Sequence, residues 1–130
     1  MIIDTSAIMA FLLNEPEKGP VTHAMVRAAE LAMSAGSWLE LGAVLTRRGD
    51  AEMARDAERL FAELRIQIVP VTVEQAALGR EAYRRYGRGT NHPAGLNFGD
   101  CFAYALAKET GRPLLFKGDD FPHTDIMSAV

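Results

Sequence analysis

The 130-residue chain has a single cysteine, so no internal disulfide can hold it together. That residue, Cys101, sits in the apolar run CFAYALA, where a reduced thiol packed in a core is expected rather than a nucleophile. Long hydrophobic runs are missing too. The apolar opening MIIDTSAIMAFLL is interrupted by Asp4, Thr5 and Ser6 and carries no basic leader, which fits neither a membrane span nor a signal peptide and leads to the expectation of a cytoplasmic protein. Nor is there an excess of positive charge: the net charge is −3, so any hold on nucleic acid must come from local patches. His23, His92 and His123 share no ligand spacing, which with one cysteine argues against a zinc site. No internal repeat and no low-complexity segment is present.

What the chain does have is 48% hydrophobic and 24% charged residues, arranged in short periodic stretches. That profile and length predict one globular domain over residues 1–130, with a single core. Met1 to Asp4 has the pattern of a buried strand ending in a carboxylate, followed by a helix from Thr5 to about Leu13. After the breakers Pro16, Gly19 and Pro20 come a helix over Val21–Glu30 and a short strand over Leu31–Ser34. Helices are expected from Ser37 to about Arg48 and from Ala51 to Leu64, a strand over Ile66–Val71, and a helix from Thr72 to about Tyr86. A Gly/Asn/Pro-rich loop, 87–96, leads into a helix opened by Asn97 and ending near Gly111. Pro113–Phe116 is a buried strand, 118–122 a turn, and Thr124–Met127 a short final strand. Strands alternating with helices favour a parallel sheet between two helical layers, a three-layer α/β/α arrangement.

Three helix starts share one grammar: Ser37-x-x-Glu40, Thr72-x-x-Gln75 and Asn97-x-x-Asp100 each put a capping side chain three residues before a group that reaches back to it. Taken singly, Glu40 and Asp100 are explained by such caps, and Asp4 by capping the helix that follows it. Placement points elsewhere. Asp4 and Asp119 follow strands, and Glu40 and Asp100 open helices, so all four acids can meet on the rim formed by the strand C-termini, where parallel sheets bind ligands. Two carboxylates about 4 Å apart repel by roughly 4 kcal/mol at an effective dielectric near 20, and a divalent cation relieves this. Oxygen ligands without His or Cys favour Mg²⁺ or Mn²⁺, and these ions imply metal-assisted hydrolysis of a phosphodiester. Asp4 and Asp100 are the first choices as ligands. Glu40 has three open roles: ligand, orienter of water, or base. Asp119 is preferred to its neighbour Asp120 as the fourth acid, although Gly118-Asp119-Asp120 also makes an ordinary turn.

The segments MIIDTSAIMAFL, SWLELGAVL, LNFGDCFAYALAKETGRPLLFKGDDF and the closing TDI resemble the PIN-domain ribonucleases, and among them the VapC-type toxins of bacterial toxin–antitoxin pairs. The resemblance spans nearly the whole chain. It implies a parallel sheet between helices, Mg²⁺ or Mn²⁺ held by Asp4, Glu40, Asp100 and, more variably, Asp119, and RNA as substrate. It further implies a homodimer, and inhibition by a small VapB-type antitoxin whose tail lies across the site. Ser6 matches a position that supports the acids by hydrogen bonding. The chain departs from the pattern at Lys117, a place more often held by Thr or Ser.

Arg84, Arg85 and Arg88 stand before and at the start of the loop that feeds the Asp100 helix, where they either hold RNA backbone or serve as cations at a helix C-terminus. Tyr83, Tyr86 and Phe98 are candidates for stacking on bases or for packing. The rival to an endoribonuclease is a non-catalytic PIN-like module that only binds protein. An aspartyl-phosphate phosphatase is ranked last, because Asp4-Thr5-Ser6 lacks the second Asp of a DxD motif.

Overall fold

A computed structural model describes all 130 residues. Four short parallel strands, β1 (Ile2–Ile3), β2 (Ala32–Ser34), β3 (Gln67–Val69) and β4 (Leu114–Leu115), form one sheet in the order β3-β2-β1-β4. Six helices connect them: α1 (Thr5–Leu12), α2 (Lys18–Arg27), α3 (Ala35–Arg48), α4 (Ala51–Leu64), α5 (Val73–Tyr86) and α6 (Asp100–Thr110). The chain runs outward from β1 through β2 to β3, then crosses back to place β4 on the other side of β1. This puts the reversal of strand order between β1 and β4.

Side chains alternate across a strand, and the two cores follow from that alternation. Ile2, Ala32 and Leu114 join Ala82, Tyr86 and the α6 residues Ala103, Leu106 and Ala107 on one face. Ile3, Met33 and Leu115 join Ile8, Met25, Leu41 and Leu60 from α1 to α4 on the other. β1, β2 and β4 are buried on both faces, as strands between two helical layers require, while β3 at one edge is only partly covered, and the three-layer α/β/α expectation holds. None of the helices is long and apolar enough to cross a membrane.

Three local expectations are corrected. The third helix is capped by Ser34, whose hydroxyl accepts from the Gly36 N–H at 3.2 Å, so it starts two residues before Ser37 and places Glu40 in its second turn rather than in a capping box. Ser37 is instead wholly buried, with its hydroxyl unpaired. The second helix starts at Lys18, with Pro20 in its first turn, where a missing N–H has no intrahelical partner to lose. No regular strand forms over Thr124–Met127. Leu114 donates to Met127 and accepts from Ala129, with a single bridge to Ser128, while the Asp125 carboxylate is held by the Tyr104 hydroxyl at 2.7 Å and by Lys108.

Candidate active site

Asp4 leaves the end of β1 as the N-cap of α1. The Ser6 N–H and hydroxyl both bond to its Oδ2, at 2.9 and 2.5 Å, which leaves Oδ1 uncommitted. Ser6 also accepts from the Lys117 N–H at 3.0 Å and so ties the carboxylate to the segment after β4. Asp4 is only 4% exposed. A cap contributes about 1 kcal/mol, whereas burying an ionised carboxylate without a cationic partner costs several, so capping alone does not account for its position. Burial pushes the Asp4 carboxyl above the usual carboxylate range, and the Glu40 charge adds to the rise against the pull of the Ser6 bonds.

Asp100 opens α6 through the expected reciprocal pair: its N–H donates to Asn97 Oδ1, and its Oδ2 accepts from the Asn97 N–H, both at 2.9 Å. Oδ1 again stays free. Its pKa is pushed up to about 7, first by burial and then by the charges of Asp4, Asp120 and Glu40, against the Asn97 bond that lowers it. Glu40 reaches the same place from α3, its carboxylate lying over the backbone of Gly99. A Cβ on Gly99 would overlap it, so the absence of a side chain next to Asp100 lets the Glu40 carboxylate take this position, and a larger residue would make it move aside. The Thr5 hydroxyl, donating to the Ser37 carbonyl at 3.1 Å, joins the start of α1 to the helix that carries Glu40.

Asp119 is exposed, and Asp120 is partly buried. Of this pair, Asp120 is the acid whose charge raises Asp100. Spacing could not separate neighbours in a turn, because one backbone step turns a side chain from solvent to rim. Thr5 and Gly99 were also missed, and the GD pair ahead of the Ala-rich helix was the available signal for the second.

No Lys, Arg or His forms an ion pair with Asp4, Glu40, Asp100, Asp119 or Asp120. The donors are all carboxylate oxygens, mutually repelling and without a protein counter-charge, and two of them keep an oxygen free. This fits a hard divalent cation. No three acids stand close enough to enclose an ion, and Mg²⁺, which takes one or two carboxylates and retains water, does not require them to.

The sequence profile of the PIN domain matches residues 1–127. The chain belongs to the PIN-domain family. Its relatives include Ribonuclease VapC42 of Mycobacterium tuberculosis, 47% identical over 129 residues that cover 99% of this chain and 98% of that protein. Ribonuclease VapC28 of the same organism is 46% identical over 130 residues, covering 100% and 98%. The crystal structure of Mycobacterium tuberculosis VapC20, described as a Sarcin-Ricin loop cleaving toxin, has the same fold, with a TM-score of 0.73 at 18% identity over 97% of this chain and 95% of that one. A toxin–antitoxin complex from Klebsiella pneumoniae matches with a TM-score of 0.65 at 16% identity, over 92% and 88%. The full-length relatives make this a VapC-type PIN domain.

Around the acids of this PIN domain, the peripheral candidates divide. Arg84 is held by Glu81 through two bonds, at 2.9 and 2.6 Å, and Arg85 lies over the Tyr86 ring at 4.8 Å, while Arg88 is exposed. Lys117 is committed to Glu15, with Glu17 beyond it at 3.9 Å. His92 accepts the Ala94 N–H at Nδ1 and packs edge-on against Tyr86, which makes it a brace for the 87–99 loop. Tyr86 is buried in the core.

Proposed function

We propose that this VapC-type PIN domain is an Mg²⁺- or Mn²⁺-dependent endoribonuclease that hydrolyses RNA phosphodiester bonds as the toxin of a toxin–antitoxin pair. The observation that supports this most is the group of carboxylates without a cationic protein partner at the switch point of the sheet, in a chain nearly half identical to named ribonucleases. Asp4 and Asp100 are the principal metal ligands, Glu40 a ligand or the residue that orients attacking water, and Asp119 or Asp120 the fourth acid. The bound ion supplies positive charge to the phosphodiester oxygens and lowers the pKa of water. The chain's own part is to aim the acids. Ser6 and the Asn97 N–H each occupy one carboxylate oxygen and turn the other toward the substrate, and Gly99 lets Glu40 approach.

Arg88, with Arg84 and Arg85 behind it, is proposed to meet the RNA backbone, and the working form is proposed to be a cytoplasmic homodimer. The partner is a small VapB-type antitoxin. An apolar groove along α3 and α4, with Trp38 and Leu39 exposed beside Glu40, is where its segment would dock so that a basic tail reaches the acids. Retention of the acids leaves the non-catalytic alternative without support.

The purified protein should cut RNA with Mn²⁺ or Mg²⁺ and stop when chelator is added, and Asp4→Asn should remain folded but lose at least 100-fold in rate, the scale of losing a transition-state charge partner. If Asp4→Asn cuts as well as the parent, the site is misassigned. Growth arrest on expression, relieved by the co-encoded small protein, tests the toxin role.

A further inference from the structure

A second concavity, of about 540 Å³, lies between α5 and α6, and its lining residues Phe98, Cys101 and Phe102 flank Asp100 along the chain. Phe98 forms one wall and is 75% exposed, although it stands two residues from Asp100 in the turn locked by the Asn97–Asp100 pair. Phe102 packs edge-on against it, with ring centroids 5.1 Å apart, and is fixed from behind by α3, where a Cβ on Gly36 would overlap the Phe102 ring. Tyr83 faces them from α5. Its ring is pinned against Gly87, where a Cβ would come within 2.9 Å, and its hydroxyl donates to the Arg88 carbonyl at 3.4 Å. No acidic side chain lines the groove, and Arg80 on its edge has no ion-pair partner.

An exposed phenylalanine held rigid at a catalytic rim is unfavourable in water and serves as a platform when a flat apolar group covers it. The occupant must be aromatic, must tolerate a cationic edge, and must extend to the acids at the end of α6. A second copy of this chain would bring its own Arg80 against this one if the two grooves faced each other. A nucleobase whose phosphate is already at the acids meets all three conditions, since stacking on aromatic rings and contact with a guanidinium are how single strands are held.

From this juxtaposition we infer that the Phe98–Tyr83–Phe102 groove is a base-stacking subsite for the nucleotide flanking the scissile bond of a single-stranded RNA segment. The inference rests on the ribonuclease reading. It places Phe98 as a substrate-binding residue that takes no part in the chemistry.

The test is binding of a fluorescein-labelled, mixed-sequence, single-stranded 12-mer RNA, measured by anisotropy in the Asp4→Asn background so that the probe stays intact. Phe98→Leu should raise Kd roughly 10-fold, the scale of one lost stacking contact, while Phe98→Trp should keep the parent affinity. Replacing the bases of the 12-mer by abasic positions should remove the difference between Phe98 and Leu. Equal Kd for all three proteins would overturn the subsite. So would a loss of affinity accompanied by a drop in mass by light scattering, which would make the groove an interface between copies. If the parent protein neither binds nor cuts RNA, the ribonuclease reading itself fails; if it cuts RNA and Phe98→Leu is neutral, only the subsite does.

Discussion

In metal-free buffer at pH 8, the Asp100→Asn variant should unfold at a higher temperature than the parent protein, while losing activity. The reason lies in the folded state: Asp100 is carried from an ordinary 3.8 to about 7 by burial and by the charges of Asp4, Asp120 and Glu40. At 1.36 kcal/mol per pH unit, the ionised form is disfavoured by roughly 4 kcal/mol. Asparagine removes that cost but keeps an oxygen for the Asn97 N–H, whose bond weakens by about 1 kcal/mol once it is no longer charge-assisted. A net gain of about 1–3 kcal/mol corresponds to a rise in Tm of roughly 4–12 °C for a domain of this size. Because the folded pKa is raised, the folded state binds more protons at Asp100 than the unfolded one between about pH 4 and 7. The contribution of Asp100 to parental stability is therefore fullest below pH 4 and is lost as pH rises through 7. The advantage of the variant should shrink to less than half at pH 5. Thermal unfolding by circular dichroism with chelator, at both pH values, measures this. Adding Mg²⁺ should raise the Tm of the parent much more than that of the variant. A variant less stable than the parent at pH 8, or a gap independent of pH, would refute the electrostatic account of the site.

Gly99→Ala should cut activity at least 10-fold with a modest change in Tm, because the new methyl displaces the Glu40 carboxylate; unchanged turnover would remove Glu40 from the working site. Asp120→Asn should lower the Asp100 pKa, followed by carboxyl NMR in metal-free buffer, and should impair cleavage more than Asp119→Asn. The reverse ranking would restore Asp119 as the fourth acid. Cys101, pushed up to about 11 first by burial and then by the Asp100 charge, should resist iodoacetamide at pH 8 in the native protein and react on unfolding, with mass spectrometry as the readout. Leu39→Asp should leave RNA cleavage intact yet weaken neutralisation by the antitoxin, because it alters the exposed α3–α4 groove and not the acids.

Features set by contacts within about four residues were legible from the sequence. The paired apolar residues Ile2-Ile3, Ala32-Met33 and Leu114-Leu115 announced strands buried on two faces, and the Asn97–Asp100 pair formed as its spacing required. The same local logic misjudged the start of α3, where two hydroxyls, Ser34 and Ser37, were both able to cap. Only packing chose Ser34, because β2 runs straight into the helix there. What the tertiary structure alone decided is convergence. Glu40 and Gly99 are 59 positions apart and meet because α3 and α6 pack together. The charge of Asp120, rather than that of Asp119, bears on Asp100 because the turn after β4 leaves the first partly buried and the second in water. The sequence by itself determined which acids stood at the ends of strands and starts of helices. The order of the strands, a property of long-range packing, decided which of them share one field.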